Sequence, residues 1–114
     1  MRLRSDIFVS AYIRRCQVDN VPAVLRRRGA AEAGAIFVKV DRLDGTCALY
    51  GPAPQAVLDD DASRRFVRLH DTETIAAEAA EERLARELRF DSDLWIVEAE
   101  DRAGLSRLDE VETP

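Results

Sequence analysis

The feature that most constrains this fold is an alternating apolar stretch that ends in a tight-turn dipeptide. Within residues 35–43, the side chains of Ile36, Val38 and Val40 fall on one face and the intervening residues on the other, as in a β-strand. The dipeptide Asp44-Gly45 follows and favours a two-residue hairpin turn, because such a turn needs a positive φ at both central positions. The sequence therefore predicts an antiparallel hairpin.

The returning strand, residues 47–51, gives this hairpin an internal check. A two-residue turn places Val40 opposite Leu49 and Lys39 opposite Tyr50. In that register an apolar pair extends the face that already carries the aliphatic side chains. We therefore expect that face to be the buried one.

The remaining elements are predicted from apolar periodicity and from helix-breaking residues. Helical spacing of apolar residues predicts one helix over residues 5–17, which Ser5 can cap, and a second from residue 71 or 72 to about residue 89. Short apolar runs predict further strands over residues 23–28, 65–70 and 94–100.

This order, α-β-β-β-β-α-β, favours the α+β class. We expect a mainly antiparallel sheet of four to five strands with two helices packed on one face, because tight turns join consecutive strands. No linker divides the chain. Residues 1–104 are therefore predicted to form a single α+β domain, and residues 105–114 a weakly ordered C-terminal tail.

The charge balance argues against nucleic acid as a partner. The net charge is -5 and the sequence pI is about 4.9, whereas a nucleic-acid binder needs a basic face to neutralise phosphates. The charge is also uneven: residues 1–57 carry nine basic against five acidic residues, a net of +4, and residues 58–114 carry eight against seventeen, a net of -9. Either the two halves fold against each other, or the split steers a charged partner.

Residue types that carry chemistry are sparse. Cys16 and Cys47 form no metal-binding motif, and His70 is the one histidine, so neither a zinc site nor a His-activated nucleophile has enough partners. Glu98 and Glu100 share a strand face at a separation near that of glycosidase carboxylates, but no aromatic sugar platform surrounds them, so we interpret them as an exposed strand end paired with arginines. Asp59-Asp60-Asp61 lacks the spacing of a calcium loop and is interpreted as a solvated acidic loop. We expect no metal, no cofactor and no catalytic residue.

No apolar run approaches the length of a transmembrane helix. The short run over residues 7–13 contains Ser10 and ends at Arg14-Arg15, unlike a secretory signal. We therefore expect a cytoplasmic protein without a membrane partner.

Four blocks of the chain resemble one uncharacterised alphaproteobacterial family, the domain of unknown function 1491. The blocks are IFVSAYIRR at residues 7–15, LRRRGAAEAGAIFVKV at 25–40, LYG at 49–51 and RFDSDLWIVE at 89–98. The resemblance implies a bacterial, cytoplasmic protein of about this length. It implies no activity, and no functional residue is carried over from it.

One basic stretch is a candidate anion site. Arg26 and Arg28 share a face of the predicted strand, and the loop from Gly29 to Gly34 offers backbone N–H groups, a combination that suits phosphate or carboxylate. The alternative is a solvated strand edge whose charges deter pairing with other chains.

Three aromatic residues, Phe37, Tyr50 and Trp95, are the candidate interface. They pack in the core if the sheet has one apolar face, and become interface anchors if a second apolar face needs a cover. On this basis we predict a non-enzymatic cytoplasmic interaction or regulatory module, as a homodimer or with a protein partner. The alternative function is binding of a small anionic metabolite or nucleotide through residues 26–34.

Overall fold

The computed structural model describes residues 3–54 and 64–114. Within these residues there are two helices and seven strands, in the order α1, β1–β5, α2, β6, β7. Their bounds are α1 Ser5–Val18, β1 Ala23–Arg27, β2 Ile36–Asp41, β3 Thr46–Pro52, β4 Phe66–Arg68, β5 Ile75–Ala76, α2 Ala77–Phe90, β6 Trp95–Glu100 and β7 Val111–Glu112. The predicted order holds for the longer elements, and β5 and β7 are two-residue additions to it.

The strands form one mixed sheet in the order β1-β6-β2-β3-β4-β7, with β5 paired to β3. β6 runs parallel to β2 and β7 parallel to β4, whereas the other pairings are antiparallel. The chain is α+β, but the expectation of four to five mainly antiparallel strands is wrong. The reason is that β6 returns after α2 and inserts between β1 and β2, so these two consecutive strands do not pair.

The helices lie on opposite faces of the sheet, which corrects the prediction that both pack on one face. α1 contributes Val9, Tyr12 and Cys16 to a core cluster with Val38 and Val97. α2 contributes Leu84 to a second cluster, which contains Phe37, Leu49, Leu94 and Ile96. Both faces of β2 and β6 are therefore buried within this chain.

The β2–β3 hairpin is shifted by one residue from the predicted register. Val40 lies opposite Ala48 and Lys39 opposite Leu49. The loop contains three residues rather than two, since the Arg42 N–H donates to Thr46 O and positive φ falls at Leu43 and Gly45. A one-residue slip exchanges the two faces of a strand, so Leu49 joins the α2 face.

The second helix begins later than predicted, at Ala77. Ile75, which falls outside the apolar stripe of the helix, pairs with Cys47 of β3, and the Ala77 N–H donates to Gly45 O. This short pairing holds the segment extended up to the start of α2.

The C-terminal segment, residues 105–114, contacts the rest of the fold at several points. The Tyr12 hydroxyl donates to Ser106 O at 2.8 Å, and the Arg107 guanidinium bonds to Asp19 and Asp101. Leu108 packs on the α1-side core, and β7 then pairs with β4.

Candidate binding groove

A groove of about 710 Å³ lies between α1 and the edge strand β1, and we call it the α1–β1 groove. Trp95 of β6 forms part of its floor. Apolar side chains dominate the walls, and polar side chains stand at intervals along α1. The lining residues are Asp6, Ile7, Val9, Ser10, Ala11, Ile13, Arg14, Gln17, Leu25, Arg28 and Trp95.

The Trp95 ring is fixed in place by the loop between β1 and β2. It is 1% exposed, and its Nε1–H donates to Ala30 O at 2.8 Å. Gly29 and Gly34 lie against the ring and against the Asp93 carbonyl, where a Cβ on either glycine would overlap the backbone. These glycines permit close packing on Trp95, and two N–H groups of the loop, those of Ala30 and Gly34, already donate to Asp93 O and Ala30 O.

Two guanidinium groups in the groove make no ion pair with an acidic side chain of the described residues. Arg28 stacks over Trp95, with its Cζ 5.1 Å from the ring centroid. Arg14 of α1 is exposed and makes no such pair either. The carboxylate in the groove, Asp6, accepts hydrogen bonds from Arg4; these are the main cause that lowers the pKa of Asp6, and the charge of Arg28 contributes to it. The groove thus combines the exposed apolar side chains of Ile7 and Leu25 with two guanidinium groups that form no ion pair among the described residues.

The structure does not bring Arg26 and Arg28 together, although strand alternation predicted a shared face. A β-bulge lies between Leu25 and Arg27 and shifts the pairing with β6. Arg26 consequently lies on the α2 face, where it binds Glu81, while Arg28 lies on the α1 face against Trp95. The predicted site of Arg26, Arg28, Gly29 and Gly34 is therefore not assembled in one cavity, and only Arg28 lines the groove.

Arg26 belongs instead to a cluster of four charged residues on the α2 face. Its guanidinium contacts Glu81 at 2.6 Å and Glu98 at 3.0 Å, and the Lys39 ammonium lies 2.7 Å from Glu81. The hydrogen bond from Arg26 is the main cause that lowers the pKa of Glu81 to about 2, with burial opposing it and Lys39 adding to it. Burial lowers the pKa of Lys39, but the hydrogen bond to Glu81 and the charge of Glu98 outweigh it and leave that pKa raised.

The aromatic residues proposed as an interface are all buried within the chain. Phe37, Tyr50 and Trp95 are 5%, 9% and 1% exposed. α2 covers the sheet face that carries Phe37, and α1 covers the face that carries Tyr50 and Trp95. The described residues cover these side chains almost completely, so they form no exposed aromatic patch there, and the homodimer stays a prediction.

Metal ligands do not converge in residues 3–54 and 64–114, where no group of three His, Cys, Asp or Glu side chains could hold an ion. Asp59-Asp60-Asp61 lies outside the described residues. Within the described part of the chain, neither helix has the length and apolar character needed to cross a bilayer.

His70 is held by two backbone groups. Its Nε2 accepts the Leu49 N–H at 3.0 Å, and Nδ1 lies 2.7 Å from Thr72 O, so a neutral ring with its proton on Nδ1 satisfies both contacts. Burial is the main cause that lowers the pKa of His70 below its usual value of 6.5; the Thr72 hydrogen bond opposes this and the charge of Arg68 supports it.

We expect the folded state to lose stability as the pH falls below about 6.5, because a histidine with a lowered pKa favours folding only while it is neutral. Urea unfolding of the wild type and of a His70→Ala variant, measured from neutral pH to below pH 6.5, isolates the contribution of His70 to this loss of stability. The variant is expected to be less stable at neutral pH and to show a shallower fall towards acid. Parallel curves for the two proteins would contradict the assignment.

The family of the protein follows from comparison with known sequences and structures. The family model described as "Protein of unknown function (DUF1491)" matches residues 3–109. The chain belongs to the DUF1491 family. This confirms the resemblance found in the sequence, and no curated protein matches the chain.

Solved relatives share the fold over its full length. A crystal structure of a DUF1491 family protein from Caulobacter crescentus has a TM-score of 0.81 and 35% identity, and covers 98% of this chain and 99% of its own. A solution structure of an A. tumefaciens protein has a TM-score of 0.80 and 42% identity, with 100% of both chains covered. Their descriptions state no activity, ligand or partner.

The groove residues on α1 were not singled out by the sequence reasoning. The sequence does contain one signal for the groove: Ile7 is apolar but falls outside the apolar stripe of α1. In the structure its side chain is 49% exposed. Arg14 lies on the polar side of the same helix and gives no signal by itself. These residues line a groove only because β1 lies beside α1 in the fold, and the sequence does not show that arrangement.

Proposed function

We propose that this DUF1491 protein is a non-enzymatic interaction module of the bacterial cytoplasm, whose α1–β1 groove binds an apolar segment of a partner protein that carries acidic side chains. The observation that carries the proposal is the pair of guanidinium groups, Arg14 and Arg28, that form no ion pair among the described residues and lie beside exposed apolar side chains of the groove. Arginine is enriched at protein interfaces and pairs readily with carboxylates.

The shape of the groove supports a chain segment as the ligand. Small-molecule sites enclose most of their ligand, whereas this groove lies open along one side of α1. Ile7 and Leu25 are 49% and 40% exposed, so apolar area remains for a partner to cover. Burial of that area contributes affinity, and the two arginines contribute orientation and selectivity.

The homodimer expected from the sequence stays a prediction. Light scattering on a size-exclusion peak measures it directly.

The proposal is tested by selecting binders from a displayed library of short random peptides. We expect enrichment of peptides that combine apolar residues with Asp or Glu, with affinity that falls as salt is raised. Reversing both charges, Arg14→Glu with Arg28→Glu, is expected to weaken binding about tenfold or more.

The matched control is Arg86→Glu on α2, because Arg86 is exposed and also lacks an acidic partner among the described residues. It should leave affinity unchanged. Absence of any enrichment, or an equal loss with Arg86→Glu, would overturn the proposal.

A second candidate function is binding of a small anionic metabolite or nucleotide, because Arg28 at the end of β1 forms no ion pair among the described residues. The second arginine that binds the anion would be Arg14 and not Arg26, because Glu81 and Glu98 already bind Arg26. A thermal-shift panel of nucleotides, phosphosugars and carboxylates separates the candidates. A shift that disappears in the Arg14→Glu, Arg28→Glu protein favours this one, and a flat panel removes it.

A further inference from the structure

We infer that the partner segment binds in the α1–β1 groove as an added β-strand along the outer edge of β1. This inference rests on the proposed function and specifies how the groove is used. β1 pairs with β6 on one side and stands at the end of the sheet order on the other. Strand addition to an exposed edge is a recurrent mode of peptide recognition, in which backbone hydrogen bonds give affinity and alternate side chains give specificity.

The pairing with β6 identifies which backbone groups of β1 are available. The Glu100 N–H donates to Pro22 O, so residues 22 and 100 form a hydrogen-bonded pair of the antiparallel ladder. Such pairs alternate with non-bonded ones, so Val24 faces Glu98 in a bonded pair, while the N–H and C=O groups of Ala23 and Leu25 point away from β6. Neither residue makes another hydrogen bond among the described residues.

The free stretch of edge is short. Pro22 precedes it and has no N–H, and the bulge before Arg27 ends the regular ladder. Only the outward groups of Ala23 and Leu25 remain. These features also limit pairing with long foreign strands. We therefore infer a short partner segment, with two backbone bonding positions on β1.

Strand alternation then determines which partner side chains face the groove and which face the opposite side of the sheet. Leu25 lies on the α1 face and lines the groove, so the partner residue opposite it also faces the groove and should be apolar. The next groove-facing partner residue along the direction of β1 lies beside Arg28, where a carboxylate meets a guanidinium that forms no ion pair among the described residues. The intervening partner residue points to the other face, beside Arg26.

Amide hydrogen exchange on the labelled protein tests this mode, with a peptide selected in the display experiment as the probe. Bound peptide should slow exchange at the Ala23 and Leu25 amides by at least tenfold. The Val24 amide is the internal control, because it already bonds to Glu98 and its rate should change much less.

A matched series of the same peptide, N-methylated at one backbone position at a time, tests the hydrogen bonds from the other side. Methylation at alternate positions should weaken binding by about five- to tenfold, and methylation between them should have little effect. Peptide binding that depends on Arg14 and Arg28 but neither protects these amides nor shows the alternation overturns strand addition and leaves the proposed function standing. Failure of the selection itself overturns both.

Discussion

Replacing Gly29 with alanine is expected to lower the free energy of unfolding by about 3 kcal/mol, because there is no space for a side chain at this position. An added Cβ would overlap the Asp93 carbonyl oxygen and lie 2.6 Å from Trp95 Cδ1. The nearest obstacle is backbone at the start of a buried strand, so it cannot be moved aside as a flexible side chain can. Urea unfolding of the purified variant measures the loss.

Gly45→Ala is the control that separates crowding from backbone conformation. Gly45 has a φ of +87° in the β2–β3 loop, and no atom lies within 4 Å of an added Cβ. Alanine there should cost about 1 kcal/mol through the unfavourable left-handed conformation alone. A Gly29→Ala protein no less stable than Gly45→Ala would show that the loop does not pack on Trp95 as described.

The local elements of this fold could be predicted because their signals lie within a few residues. The apolar stripe of the first helix places it over residues 5–17, and the structure has Ser5–Val18. The strand predicted over residues 35–43 forms Ile36–Asp41. Periodicity indicates which side chains share a face of one element, and these faces persist in the folded chain where no bulge interrupts the element.

The sheet order could not be predicted in the same way, because it depends on where β6 returns. The expectation that consecutive strands pair fails when a later strand inserts between them. One signal was present: Leu94, Trp95, Ile96 and Val97 form an unbroken apolar run, which is typical of a strand buried on both faces. A strand of this kind lies inside a sheet and needs cover on both faces, so the run indicates one helix on each face of the sheet.

The candidate site depends on two features that single residues do not reveal. Three consecutive arginines do not indicate where a bulge lies. Because of the bulge, Arg26 and Arg28 lie on opposite faces of the sheet, Arg26 towards α2 and Arg28 in the groove. The acidic C-terminal half meets the basic N-terminal half at this point, since Glu81 and Glu98 bind Arg26. Charges of the two halves therefore interleave on the α2 face, and Arg14 and Arg28 remain outside this pairing.

Removing Glu81 is the second change with a large expected effect. Glu81→Ala takes the 2.7 Å partner from the Lys39 ammonium, whose side chain is 7% exposed, and leaves Glu98 at 3.8 Å as the remaining carboxylate. Loss of one partner from a buried pair typically costs about 3–5 kcal/mol, and the partial exposure of Glu81 reduces the expected loss to about 2 kcal/mol. Glu82→Ala is the matched control, because Glu82 is exposed on the same helix.

The pH dependence of Glu81→Ala provides a separate measurement. The pKa of Glu81 is lowered from its usual 4.5 to about 2, so in the wild type its contribution to stability is complete above about pH 4.5 and is lost as the pH falls towards 2. The variant should therefore lose less stability than the wild type across this window. Equal losses in urea unfolding would contradict the ion cluster.

Replacing Lys39 should lower the free energy of unfolding much less than replacing Glu81. Comparing the two shows whether Glu81 stabilises the fold through the charge of Lys39 or through packing. In Lys39→Met, Glu81 and Glu98 keep the Arg26 guanidinium, and an apolar side chain of similar length fills the space on the α2 face. Lys39→Met should cost less than Glu81→Ala, because the two partly exposed carboxylates keep a guanidinium partner, whereas Glu81→Ala leaves a buried ammonium without its nearest carboxylate. In the Lys39→Met background, Glu81→Ala should then cost much less than in the wild type, because no buried charge is left unpaired. An undiminished cost in the double variant would mean that Glu81 stabilises the fold through Arg26 or by packing, and not through Lys39.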